Sequence, residues 1–293
     1  QALVALGFLW GSNASNLFCD EWKKVIEDYH GFEVGSWEVA CDPHGMVTDL
    51  HIGKPQSLGP VYQYYSGDTA DILSIQSLMG PSMMQGSMDD LSCLAPLTRL
   101  KDLTLTSLNL TAGELPSSLS ALASLSHLDL SFLPITRFPQ WIGSLSNLTH
   151  LDVTGNFSVH RSQPFPTGLM ALTLLQHLRL SLNGFTGSIP STISALSGLS
   201  EFQLNFNNIS GSIPASITNL LKLQDLQLNF NNISGSIPAS ITNLFNLQDL
   251  GLSFNNLTGA VPAITSESLK YLRLSFNNLI GAVPSITSSN LDT

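Results

Sequence analysis

The sequence predicts a solenoid of the α/β repeat class, a stack of short coils that each add one strand to a common parallel sheet. Three observations predict it. Residues 205–220 and 229–244 are the same sixteen-residue string, NFNNISGSIPASITNL, offset by 24. Eight L-x-L cores follow one another, beginning at Leu103, Leu128, Leu151, Leu178, Phe202, Leu226, Leu250 and Leu272, with steps of 25, 23, 27, 24, 24, 24 and 22. An asparagine, a glycine and a proline recur at fixed offsets after most of these cores. Self-similarity at such a period marks a stack in which no unit buries its own apolar face. The 293 residues therefore need not divide into the two domains that their length suggests.

The elements follow in chain order. Residues 1–10, QALVALGFLW, are apolar, start at Gln1 rather than Met and lack a basic start. Leu3, Leu6 and Trp10 fall on one helical face, so the segment reads as an amphipathic capping helix of a mature or trimmed chain, with a leftover signal peptide as the alternative. Two weaker repeat copies are expected at Leu50 with Ile52 and at Leu73 with Ile75, making about ten repeats with the first two degenerate. The stretch 53–90 is the least regular and is expected to hold a longer loop. From about residue 100 the unit reads L-x-x-L-x-L-x-x-N-x-L-x-G-x-I-P-x-x-I-x-x-L. The L-x-L alternation places two apolar side chains under a short strand. The recurring Asn156, Asn183, Asn207, Asn231, Asn255 and Asn277 are expected to satisfy turn backbone groups from inside, as a ladder. Gly187, Gly211, Gly235, Gly259 and Gly281 permit a tight bend. Pro190, Pro214, Pro238, Pro262 and Pro284 then hold the backbone extended.

These two motif halves, recurring in fixed order over about residues 100–293, identify the chain as a member of the leucine-rich repeat family. The L-x-G-x-I-P half resembles its plant-type extracellular subclass, that of receptor-like ectodomains and polygalacturonase inhibitors. The resemblance implies a right-handed solenoid with a concave parallel sheet, a second short sheet beside it, a 3₁₀ or irregular convex side and a helical N-terminal cap. Trp37–Cys41 and Gly45–Ile52 resemble the start of that subclass, which divides the chain into a capping region at 1–46 and a solenoid at 47–293. The subclass's usual partner cysteine just before Cys41 is absent; Cys19 is the best substitute, and the resemblance then implies a Cys19–Cys41 disulfide. Cys93 is left over, free or paired outside this chain. After Leu291 the sequence stops where a strand is due, so the chain is expected to continue or to be covered by another molecule at an uncapped last coil.

Strand alternation gives the outward positions. The first concave column reads Asp102, His127, His150, His177, Glu201, Asp225, Asp249 and Tyr271, with Asp129, Asp152, Arg179 and Arg273 beside it. Histidine titrates near neutrality and ligates Zn²⁺ or Cu²⁺, so the stripe reads as a recognition, pH-sensitive or metal-binding patch, or else as an ordinary solvated face. No metal site and no cofactor are assigned. A second column, Phe132, Phe206, Phe230, Phe254 and Phe276, reads either as an exposed partner-binding strip or as packing between coils. Seven N-glycosylation sequons begin at Asn13, Asn109, Asn147, Asn156, Asn208, Asn232 and Asn256. Asn156 is itself a ladder residue and the poorest acceptor of the seven.

Charged residues are only 11% of the chain, with 11 Lys and Arg against 21 Asp and Glu. That balance argues against nucleic acid, which needs a basic face. No apolar run reaches membrane-spanning length. The G-x-S-x-G, H-E-x-x-H, P-loop, G-x-G-x-x-G and C-x-x-C motifs are absent, and a flat sheet offers no oxyanion hole, so no enzyme is expected. The expected function is an extracellular recognition scaffold, receptor-like, carrying N-linked glycans and taking a peptide, protein or glycan on its concave face. The alternatives are a structural glycoprotein self-associating head to tail through its open last coil, and a secreted inhibitor of cell-wall-degrading enzymes.

Overall fold

The computed structural model describes residues 37–41, 47–52, 86–95, 97–106, 110–155, 162–264 and 266–282. Within them, short strands pile into one ten-stranded sheet. Nine of its strands run parallel, and their central residues pair in a single row: Leu50, Leu103, Leu128, Leu151, Leu178, Phe202, Leu226, Leu250 and Leu272. The tenth, Trp37–Cys41, belongs to the expected capping region and lies antiparallel along the Val47–Ile52 strand. The strand at Leu50 hydrogen-bonds directly to the one at Leu103. Nine repeat strands are found among the described residues. Leu73 and Ile75 carry the L-x-L core without a ladder asparagine, as do the cores at Leu103 and Leu128, where Leu108 and Leu133 stand at that position. Leu73 and Ile75, the helix expected near residues 1–10 and Cys19 lie outside the described residues.

The opposite side is turned by 3₁₀ segments at Ser117–Ala121, Gln140–Ser144, Thr167–Ala171, Ser191–Ala195, Ala215–Asn219 and Ala239–Asn243. A proline precedes each; its missing N–H costs nothing there, because the first donors of a helical turn have no internal partner. Each segment buries one aliphatic side chain, Ile217 and Ile241 in the two identical repeats. A second band of short parallel strands runs beside the main sheet. Gln163–Pro164, Phe185–Gly187 and Asn208–Ile209 form one group, and Ser234–Ser236, Asn256–Gly259 and Asn278–Leu279 another. One coil shows the core composition: Leu226, Leu228, Ile233, Ile237, Ile241, Leu244 and Leu247 are all buried. Each such side chain contributes roughly 1.5–3 kcal/mol on leaving water, against coils above and below rather than its own.

The expected asparagine ladder is present from Asn183 to Asn277; Asn156 lies outside the described residues. Asn231 is typical. Its Nδ2 donates to the carbonyls of Leu204 (2.9 Å) and Leu228 (3.2 Å), and its Oδ1 accepts the Ile209 N–H at 3.0 Å. Asn255 repeats this with Leu228, Leu252 and Ile233. Two positions of the later coils have a left-handed backbone. One is the glycine of the L-x-G motif, with φ of 76–78° at Gly211, Gly235 and Gly259. The other precedes the ladder position (Leu133 after Phe132, an asparagine in the other coils), and it is a phenylalanine at φ of 55–57° in five coils, Leu182 in a sixth and Gly155 in a seventh. At Gly155 a Cβ would meet the Phe132 ring at 2.3 Å, so glycine is the residue that lets Phe132 lie across that coil.

Removing Asn231 leaves the Ile209 N–H without its acceptor, a loss of about 1–3 kcal/mol, and takes one of two asparagine donors from the Leu204 and Leu228 carbonyls, which keep Asn207 and Asn255. Asn231→Ala is expected to destabilise the chain by about 1–3 kcal/mol. Asn246→Ala, which removes a single exposed bond to the Leu221 carbonyl, is expected to cost well under that. Chemical denaturation of the two variants side by side checks the difference.

Candidate functional site

The concave face is laid out by strand register. His127 pairs with His150, His150 with His177, and His177 with Glu201, so the expected first column is continuous. A parallel sheet holds equivalent positions about 4.8 Å apart, which brings flat side chains into contact. The imidazoles of His127 and His150 stack with centroids 4.0 Å apart, and those of His150 and His177 at 4.2 Å. Acids close both ends of the stack: Asp102 Oδ1 lies 2.8 Å from His127 Nδ1, and Glu201 Oε2 lies 2.9 Å from His177 Nδ1. The middle ring has no acid, and its Nδ1 lies 2.8 Å from the Thr149 hydroxyl. Burial first, and then the His127 and His177 neighbours, push the His150 imidazole down to about 4. It is therefore neutral at physiological pH.

Beside the histidines, the second column forms an ionic and amide network. Arg179 grips Glu201 with two bonds, Nε to Oε1 at 2.6 Å and a terminal nitrogen to Oε2 at 2.9 Å, and also lies 3.7 Å from Asp152. Burial alone would raise the Glu201 carboxyl, but the hydrogen bonds and charges of His177 and Arg179 outweigh it and hold the group down at about 2. Gln203 then bridges Glu201 and Asp225, and Gln227 donates to Asp225 and accepts from Asn229. Burial is the main influence lifting Asp225 to about 6. Gly251 completes this arrangement by omission: a Cβ there would fall 2.1 Å from Gln227 Oε1, so the neighbouring amides lie over the vacant position.

Asp129 and Asp152 are paired across adjacent strands. Ser131 links them, its N–H donating to Asp129 Oδ1 and its hydroxyl to Asp152 Oδ1, both at 2.8 Å. Burial and the Asp152 charge push Asp129 up to about 7. Asp152 is likewise raised, chiefly by burial. At the far end of the face Arg273 bonds Asp249 at 2.6 Å and sits 5.2 Å from the centre of the Tyr271 ring. Both side chains are exposed, Tyr271 by 40%. All twelve predicted concave residues thus lie on adjacent strands of one sheet. Among the described residues, no group of three or more His, Cys, Asp or Glu is placed to hold a metal ion.

Gln203, Asn205 and Ser131 were missed by the reading of the sequence, and Gln227 and Asn229, which strand alternation sets beside Asp225 on the concave side, were not counted among the site residues. They stand in the same alternation, and extending the outward rule across every strand and two residues beyond it finds them. The phenylalanine column divides the two readings left open above. Phe206, Phe230, Phe254 and Phe276 stack coil upon coil at 4.1–4.2 Å, and they remain 42%, 39%, 39% and 70% exposed. They form an exposed ladder and also pack from coil to coil. Asn147, Asn208, Asn232 and Asn256 are exposed. Asn13, Asn109 and the side chains of Cys41 and Cys93 lie outside the described residues.

A stack of short coils with one polar, side-chain-rich concave sheet defines a repeat scaffold. The chain belongs to the leucine-rich repeat family: the family model for a leucine-rich repeat region matches residues 82–276, and a single leucine-rich repeat matches residues 268–290. No curated protein sequence matches the chain. Among solved structures, the TDR receptor is 33% identical over 66% of this chain and 33% of its own, with a TM-score of 0.60. The LRR ectodomain of the Arabidopsis receptor kinase HAESA, in complex with an IDA peptide hormone ligand, is 32% identical over 64% of this chain and 31% of its own, with a TM-score of 0.58. A plant ice-binding protein shares the fold over 85% of this chain and 78% of its own, at 21% identity and a TM-score of 0.58. The chain spans about a third of the length of the receptor structures that it matches. Among the described residues no helix is long and apolar enough to cross a membrane.

The Asp129 shift sets a pH dependence. Folded Asp129 keeps its proton up to about pH 7, whereas an unfolded carboxyl releases it near 3.8. The folded chain therefore holds the extra proton between those limits, and stability contributed by this group falls as pH rises through them. Asp129→Asn keeps an oxygen for the Ser131 N–H and cannot ionise. It is expected to melt a few degrees above the parent at pH 8 and level with it at pH 4. Thermal melts at the two pH values check this.

Proposed function

We propose that this chain is an extracellular, non-enzymatic recognition scaffold that takes a peptide or protein segment along its concave face. The observation that carries the reading is the layout of that face. A continuous strip of side chains crosses eight parallel strands, rigid in its middle and open at its end. The Glu201–Gln203–Asp225–Gln227 network fixes rotamers before any ligand arrives, which lowers the ordering entropy of binding. Tyr271 and Arg273 are exposed, stacked and of the residue types that dominate binding energy at interfaces. Family membership and the likeness to ectodomains solved with peptide hormones support the same reading, as does the run of sequons on exposed asparagines. The surplus of carboxylates on the face, six in the two columns against Arg179 and Arg273, favours a ligand carrying positive charge.

The test is a selection of displayed random dodecapeptides on the folded chain. Enriched peptides are expected to contain Lys or Arg. Their affinity is expected to fall about tenfold or more for Tyr271→Ala and Arg273→Ala, the loss typical of an interface hot spot. Leu221→Ser, an exposed position on the 3₁₀ side, is expected to leave binding unchanged. Enriched peptides that bind the two concave variants as tightly as the parent contradict the proposal.

A further inference from the structure

We infer that the exposed phenylalanine ladder is a seat for sugar, occupied by the first residues of N-linked glycans on this chain's own Asn208, Asn232 and Asn256. The inference rests on the extracellular reading above. Its starting point is a register between two rows. Phe206, Phe230 and Phe254 each stand two residues before a sequon asparagine, and the sequons are completed by Ser210, Ser234 and Thr258. The residue between, Asn207, Asn231 or Asn255, turns inward to bond core carbonyls. The phenyl ring and the sequon amide thus leave the same bend on either side of it, within about 7 Å of backbone. Asn208, Asn232 and Asn256 are exposed, and the Asn256 Nδ2 donates to the Asn232 Oδ1, so the asparagine row keeps the same coil-to-coil spacing as the rings.

The chemistry of the ladder suits a sugar better than a hydrocarbon. The rings cover one another's faces, at interplanar angles of 11–16°, and present their edges. An aromatic edge carries partial positive charge. The hydroxyl and acetamido oxygens of N-acetylglucosamine complement it, while the sugar's C–H groups and methyl cover apolar carbon. The occupant is tethered, so no association entropy is lost when it settles. The last ring supplies an internal contrast. Asn278 follows Phe276 by two residues, but Ile280 stands where the hydroxyl is required, and Phe276 is 70% exposed.

The test uses the chain secreted from a eukaryotic host, with site occupancy read by peptide mass spectrometry. One sample is trimmed enzymatically to a single N-acetylglucosamine at each site. A second carries Ser210→Ala, Ser234→Ala and Thr258→Ala, which abolish the three sequons and leave the asparagines. The expected result is sugar at these sites, with the trimmed protein melting higher and binding several-fold less apolar dye than the sequon-free variant. The gap is expected to shrink in Phe230→Leu, a side chain that Leu182 already carries at the same left-handed position. Equal melting and dye binding with and without the three sugars overturns the inference. Sugar at Asn147 and none at the ladder sites also overturns it, while leaving the extracellular reading in place. A chain passing through the secretory pathway without sugar at any site overturns both.

Discussion

The structure depends on one constraint: no coil can complete its own hydrogen bonds. A coil of about 24 residues turns sharply after its strand, and the turn leaves carbonyls and amides pointing into an apolar interior, where unpaired polar groups are expensive. A ladder asparagine resolves this because its amide offers donors and an acceptor on one short side chain. Asn231 reaches carbonyls in two coils and accepts from the backbone of the preceding one. The bonds therefore close only when neighbouring coils are in a single register. Stability is consequently a nearest-neighbour property, and every other feature of the surface inherits that register.

The register explains the left-handed phenylalanines. To aim the asparagine inward, the preceding residue takes a positive φ that costs a non-glycine residue of order 1 kcal/mol or more. Stacking against the next ring offsets much of this, since aromatic pairs are worth about 0.5–1.5 kcal/mol beyond area burial. Glycine at position 155 avoids the strain altogether and makes room for Phe132. Strain, stacking and exposure at this column are one effect seen three ways.

The same spacing governs the concave face. Identical positions on adjacent strands repeat at contact distance, so like residues become stacks or repulsive pairs. Three histidines make a stack whose middle member sheds its proton readily. Two aspartates make a pair in which Asp129 holds its proton to near neutrality. Where the column alternates in sign, as at Arg179 and Glu201, the groups neutralise one another and lock. A carboxylate on this sheet is thus made hard to ionise chiefly by burial, and the residues above or below it add to that or, as His177 and Arg179 do for Glu201, outweigh it.

Most of the fold was legible in the sequence because the constraint is local and repeated: eight L-x-L cores, a ladder asparagine and a bend glycine state one coil many times over. The concave column from Asp102 to Tyr271 followed from strand alternation alone. The degenerate copy expected at Leu73 and Ile75 lies outside the described residues. The Gln203–Gln227 network was missed because amides acquire meaning only from what lies one coil away. The sequence by itself determined the coil, its repeat and the residue types in each column. Tertiary structure decided which carboxyls keep their protons and that the phenylalanines are exposed as well as stacked. These depend on distances and burial between coils some 24 residues apart, which a periodic pattern implies but does not measure.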